Sequence, residues 1–212
     1  MKRAPFVAAL LFSLSPLAFA ASKPAEPSGS EPKKDEGPLS SATFAGLALR
    51  SIGPALTSGR ISDLAVDPTD SKVWWIGVAS GGVWKTTNSG TTWAPVFDGE
   101  GSYSIGALTI DPKNPNIVWV GTGENNNQRS VAYGDGLYRT LDGGKSWKRM
   151  GLEKSEHIGR ILVDPRDSRV VWVAAYGPLW SGGGERGVYK SVDFGETWTQ
   201  ALKVSDDTGI AD

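Results

Sequence analysis

The chain has 212 residues, with 22 Lys and Arg against 23 Asp and Glu for a formal net charge of -1, and it carries 27 Gly, 9 Trp, one His and no Cys. A balance this close to neutral gives nucleic acid or an anionic membrane surface no electrostatic hold, so neither is expected as a partner. Without Cys there are no disulfides, and a single His completes no zinc set, so no metal and no cofactor are expected.

At the N-terminus, Lys2 and Arg3 precede a short apolar run from Phe6 to Phe19, broken by Ser13, Ser15 and Pro16 and ending in Ala18-Phe19-Ala20. A charged start, a short apolar stretch and a small-x-small site predict a secretory signal peptide over 1–20, cleaved after Ala20. The run is too short for a membrane span. No Cys follows the cleavage point, so a lipoprotein anchor is excluded, and the mature protein is expected in the periplasm or outside a bacterial cell. Residues 21–43 are rich in Pro, Ser, Glu and Lys, a composition that predicts a disordered linker, with folded structure over 44–212.

Beyond the linker the sequence repeats. Three landmarks recur in fixed order: "ISDLAVDP", "IGALTIDP" and "IGRILVDP"; then "GVWKT", "GLYRT" and "GVYKS"; then "TTNSGTTW", "TLDGGKSW" and "SVDFGETW". The unit is about 50 residues long, in the range of propeller blades. Each copy parses into an alternating first strand, an Asp-Pro turn, an apolar second strand, a Gly-led third strand, the octapeptide turn and a fourth strand. The expected fold is therefore all-β, a β-propeller of four-stranded antiparallel blades. The blades fall at about 59–98, 103–151 and 156–203, and a fourth begins near 208–212, where "TGIAD" echoes "SGRISD". Propellers close with about four to eight blades, so an incomplete ring is expected, with the remaining blades further along the same chain.

The octapeptides carry Thr86, Asn88, Gly90, Thr92 and Trp93; Thr140, Asp142, Gly144, Ser146 and Trp147; and Ser191, Asp193, Gly195, Thr197 and Trp198. Each residue type has a structural task. Asn or Asp bonds the backbone of its own turn, Gly takes a positive φ, the hydroxyl ties a further turn group, and Trp is expected to pack back onto its own blade. The octapeptide resembles the Asp-box, or bacterial neuraminidase repeat, of sialidases, sortilins, xyloglucan-hydrolysing propellers and propeller-type photosystem II assembly factors. The resemblance covers about 44–212 and is closest to large exported bacterial proteins described as sortilin-like or glycosyl-hydrolase-like. It implies the propeller fold, not a particular activity.

Strand order puts the Asp-Pro turns and octapeptides at one end of the blades. The loops between second and third strands, and those between blades, lie at the other. The second set varies: "SGG" in blade 1, "ENNNQRSVAYGDG" in blade 2 and "GPLWSGGGERG" in blade 3. Elaborated loops on a rigid scaffold are where binding concentrates. Glu124, Asn125, Asn126, Asn127, Gln128 and Arg129 suit sugar hydroxyls or peptide backbone, though the same Asn side chains can also hold their own loop together. Tyr103, Tyr133 and Trp180 can stack on a sugar ring or apolar side chain. Arg60, His157 and Arg160 start first strands, which line a propeller's central channel.

A protein, peptide or glycan ligand is expected on this face. The alternatives are a glycoside hydrolase and a purely structural or assembly-factor propeller. Hydrolysis needs two carboxylates across a cleft, for which Glu100, Glu124, Asp135 and Glu185 are the candidates. The resemblance to xyloglucan-hydrolysing propellers implies a catalytic Asp in a D-x-G-G segment after the second strand. Here that segment is "ASGG", with Ala79 in the Asp position. The resemblance to sialidases implies three Arg, a Tyr-Glu pair and an early F/Y-R-I-P segment, of which "LRSIGP" is a loose echo with Ser51 inserted.

Overall fold

A computed structural model describes residues 59–126 and 131–212. The expected signal peptide, the linker, the start of the fold near Phe44 and the residues Asn127, Gln128 and Arg129 lie outside the described residues. Among the described residues, twelve strands form three four-stranded antiparallel sheets. The first holds β1 (Ile61–Val66), β2 (Trp74–Val78), β3 (Gly82–Thr86) and β4 (Ala94–Pro95). The second holds β5 (Ile105–Ile110), β6 (Val118–Thr122), β7 (Leu137–Thr140) and β8 (Lys148–Arg149). The third holds β9 (Ile158–Val163), β10 (Val171–Ala175), β11 (Gly187–Ser191) and β12 (Thr199–Leu202). In each sheet the strands lie side by side in chain order, as in propeller blades. Among the described residues no helix is long and apolar enough to cross a membrane.

Local chemistry sets the turns. Asp67 Oδ1 accepts the N–H groups of Thr69 at 2.7 Å and Asp70 at 3.2 Å; Asp111 repeats both bonds after β5, and Asp164 repeats the first after β9. In the octapeptide of blade 2, Thr140 Oγ1 donates to Asp142 Oδ1 at 2.7 Å and accepts from Gly144 N at 3.0 Å. Asp142 Oδ1 accepts from Ser146 N at 3.0 Å, and its Oδ2 accepts from Ser146 Oγ at 2.6 Å. Asp193 makes the same set with Ser191 and Thr197. Asn88 keeps the geometry but reverses one bond: its Nδ2 donates to Thr92 Oγ1 at 2.9 Å.

The Trp that closes the second and third octapeptides does not pack on its own blade, as the sequence suggests, but on the one before. Trp147 Nε1 donates to Val96 O at 2.6 Å, and its ring stands edge-on to Trp75 at 6.3 Å and to Phe97 at 5.1 Å. Trp198 repeats this one blade on, with Met150 O at 2.6 Å and Trp119 at 6.4 Å. The reason is the course of the turn: Gly144 and Gly195 of these octapeptides lie against the Trp75 and Trp119 rings of the preceding blade, so the turn delivers its own Trp to that blade. Trp93, in the first described blade, meets Trp74 of its own sheet instead.

Glycine makes this approach possible. Gly144 has φ 91°, and a Cβ there would lie 2.8 Å from the Trp75 ring; at Gly195 the distance to the Trp119 ring would be 2.6 Å. The third strand adds a cation. Lys85 Nζ sits 4.6 Å over the Trp75 ring and donates to Gly143 O at 3.1 Å. Arg139 lies 5.6 Å over Trp119, donates to Phe194 O and pairs with Glu196 at 3.3 Å. Nearer the axis, Asp63 Oδ2 accepts Leu108 N at 2.8 Å, and Thr109 Oγ1 donates to Ile161 O at 2.7 Å. Ile105 and Ile158 fill the space above Gly77 and Gly121 of the preceding blade.

Two measurements test this clamp. Trp147→Ala should cost about 3 kcal/mol in urea unfolding, the low end for buried aromatic truncation because the ring is only partly covered. Adding Trp75→Ala should cost much less than it does alone, since the two rings are one contact; full additivity would mean that they act separately. The turns carry an acid signature. Bonds from the Thr197 hydroxyl, its N–H and Ser191 hold the Asp193 carboxyl at about 2, against an ordinary 3.8, and Asp142 lies lower still for the same reasons. A depressed folded value stabilises above the unfolded pKa and is lost as pH falls through the folded one. The melting temperature should therefore drop between about pH 4 and pH 2. The Asp142→Asn/Asp193→Asn variant, made to resemble blade 1, should show a shallower drop; equal slopes would place the acid sensitivity elsewhere.

Candidate functional site

The end opposite the octapeptides is built by the loops after β2, β6 and β10 and by the connections between blades. At its centre is Glu124, one residue past the turn that ends β6 and fully buried. Arg60, at the entry to β1, grips it with two bonds, Nε to Oε1 and Nη2 to Oε2, both 2.6 Å. Asn126 Nδ2 donates to Oε1 at 3.2 Å. The main chain is fixed as well: Glu124 N donates to Ser104 Oγ at 2.9 Å, and Ser104 Oγ donates to Ala132 O at 2.9 Å. Burial pushes the Glu124 carboxyl up, but the Arg60 bonds, the Asn126 bond and the Arg60 charge outweigh it and hold the group below its ordinary value. It is a carboxylate at neutral pH and not a proton donor.

His157, fully buried at the entry to β9, has Nδ1 2.7 Å from Glu124 O. A carbonyl only accepts, so Nδ1 carries a proton. Burial lowers the His157 pKa. Its Nε2 has no partner among the described residues. Tyr133 packs on the ring at 5.6 Å and remains 55% exposed. Thus Arg60, Glu124, Asn126, Tyr133 and His157, scattered in sequence, meet in one cluster spanning the three blades. Asn125 turns away to donate to Gly159 O at 3.3 Å.

The other candidates lie apart. Arg160 lines a central groove of about 360 Å³ with Asp63, Leu64 and Leu162, and pairs with Asp212 at 3.4 Å. Tyr103, on the connection between blades 1 and 2, is exposed, and so is Trp180 on the loop after β10. Asp135 accepts from Tyr138 Oη at 2.6 Å and from Arg149 Nη2 at 2.5 Å, partners that sequence reasoning missed because they read as strand residues. Glu185 accepts Lys154 N at 2.7 Å. Glu100 is pushed above its ordinary value by burial and by the charge of Asp135. Ala79 is fully buried, its N–H bonded to Arg60 O at 2.9 Å.

Against known proteins, the chain matches no family profile. It is 31% identical over 120 residues to an oligoxyloglucan-reducing end-specific xyloglucanase of Emericella nidulans, covering 54% of this chain and 13% of the relative. It is 25% identical over 158 residues to a xyloglucanase of Acetivibrio thermocellus, covering 67% of this chain and 18% of the relative. The chain thus spans less than a fifth of these relatives. Among solved structures, an ancestral GH74 enzyme superposes with a TM-score of 0.55 at 22% identity, over 69% of this chain and 19% of that one. The fold is that of a β-propeller, of which the described residues form three blades.

The Arg60–Glu124 pair should hold the long blade 2 loop to blade 1. Glu124→Gln should lower the melting temperature at pH 7, and Arg60→Met in that background should lower it little further. An unchanged melting temperature in Glu124→Gln would show that the pair bears no load.

Proposed function

We infer that these blades belong to an exported propeller that recognises a β-linked glucan of the xyloglucan type on its loop-rich face. The observation that carries the choice of ligand is the similarity to xyloglucanases, which supports hydrolysis of such a glucan as well as its recognition. The chemistry of the face agrees. Exposed Tyr103, Tyr133 and Trp180 offer flat rings for sugar faces, and Arg60 and Asn126 offer donors for hydroxyls. A signal peptide suits a polymer that lies outside the cell. A protein or peptide ligand, the other reading of the sequence, gains no comparable support.

In this reading the blades supply recognition rather than a full catalytic pair. Ala79 replaces the carboxylate that the resemblance implies, and Glu124 and Asp135 are committed to Arg60 and Arg149. Hydrolysis is the second reading. Its best local support is Glu100, whose raised pKa suits a general acid. Titration calorimetry of the protein with soluble xyloglucan, with an α-linked glucan as control, tests recognition, and reducing-end release tests hydrolysis. Binding to xyloglucan alone without release is expected. Release that disappears in Glu100→Gln would establish the second reading, and no binding to xyloglucan would overturn recognition.

A further inference from the structure

The loop after β10 is built around a buried cation. Arg186 is only 6% exposed, and its guanidinium bonds four main-chain carbonyls of the loop itself: Gly183 O from Nε at 2.8 Å, Tyr176 O from Nη1 at 2.8 Å, and Pro178 O and Ser181 O from Nη2. A buried charge is costly unless fully hydrogen-bonded, so the carbonyls must stay converged on it and the loop is held to one shape. Gly183 and Gly184, at φ 83° and 70°, give the chain the bend this requires. The loop is also fastened on both flanks, by Gly183 N to Asp206 O at 2.7 Å and Glu185 N to Lys154 O at 3.1 Å.

Such fixation usually serves to bury a large side chain. Here the largest one, Trp180, is 68% exposed, the most open of the large apolar residues among those described. A rigid loop that holds an indole in solvent has met the ordering cost of binding in advance. Its neighbour matters too. The Tyr133 loop fastens to the same connecting segment, through Gly134 N to Glu156 O at 2.7 Å, that the Trp180 loop grips at Lys154. The loops that carry the two exposed rings, one on blade 2 and one on blade 3, are thus both tied to residues 152–157.

We propose that Trp180 is an outer stacking subsite for an extended chain of sugar rings that runs from Tyr133 on blade 2 to blade 3, with Arg186 as its positioning residue. This rests on the glucan reading above and adds to it a dependence on ligand length: a short glucan reaches Tyr133 alone, and a long one also reaches Trp180.

The test is calorimetric titration of the protein with cellobiose and with cellohexaose. Trp180→Ala should weaken cellohexaose binding roughly tenfold and leave cellobiose binding unchanged, while Trp180→Phe, which keeps a flat ring, should retain most of the affinity. Arg186→Gln should resemble Trp180→Ala and add nothing in the Trp180→Ala background, a coupling that loosened folding alone would not give. Wild-type affinity for cellohexaose in Trp180→Ala, with Tyr133→Ala weakened, would overturn the subsite and leave glucan recognition standing. No binding of either sugar or of xyloglucan by the wild-type protein would overturn both. Trp180 is a surface residue, so its variants decide the matter even if Arg186→Gln fails to fold.

Discussion

The contact between an indole of one blade and the indole and cation of the blade before it is what the rest of this structure depends on. A four-stranded antiparallel sheet has little interior of its own, and here both apolar clusters lie between sheets. One joins Trp75, Val83 and Phe97 of the first blade to Ile105, Val118 and Tyr138 of the second. The other joins Trp119, Leu137 and Met150 of the second to Ile158, Val173 and Tyr189 of the third. Trp147 and Trp198 pack on these clusters from the next octapeptide along. Each blade thus completes the core of its predecessor, so the blades fold as neighbours rather than as independent units.

That arrangement explains why the octapeptide is so constrained. Gly144 and Gly195 must be glycine for two reasons at once, the left-handed backbone and the absence of room beneath the indole. The hydroxyl and carboxylate lock the turn that aims the Trp. With that end committed to packing, the opposite end is free to vary, and variation is what its loops show. Those loops are held by polar ties instead: Arg60 to Glu124, Arg149 to Asp135, Arg186 to four carbonyls. Each of these can be placed without disturbing the apolar stack.

Much of this architecture is legible in the sequence because turn chemistry is local. The Asp-Pro turns, the octapeptide bonds and the strand alternation involve residues a few positions apart, and the repeat shows them three times. The partner of each Trp is not legible for a related reason. In a repeat, a contact to the same position of the previous copy and a contact within the copy leave the same pattern, so the expectation that Trp147 packs on its own blade fails although its role as an apolar plug holds. Arg60 and Glu124 meet across 64 positions with no periodic signal to link them. Arg186 sits in "GGGERG", where nothing in the sequence marks it as the centre of four carbonyls. Asn125 and Asn126 read as ligand groups, yet each makes a bond within the protein.

The charge pattern of the loop-rich face narrows the kind of ligand it suits. An anionic sugar such as a sialate calls for several convergent, uncommitted guanidinium groups. Among the described residues, Arg60 is matched to Glu124, Arg149 to Asp135 and Glu153, Arg160 to Asp212, and Arg186 is enclosed by carbonyls. A face whose ion pairs are closed on themselves offers an incoming molecule little net field, and presents instead the polar edges of those pairs and the faces of Tyr103, Tyr133 and Trp180. Rings and hydroxyl partners without net charge are what an uncharged glucan requires. The same closure weighs against Glu124 as a proton donor, because a carboxylate held ionised by a guanidinium gives no proton. Among the described carboxyl groups of this face, Glu100 is held above its ordinary value by burial and by the charge of Asp135, which makes it the group on which the proposed hydrolytic reading would turn.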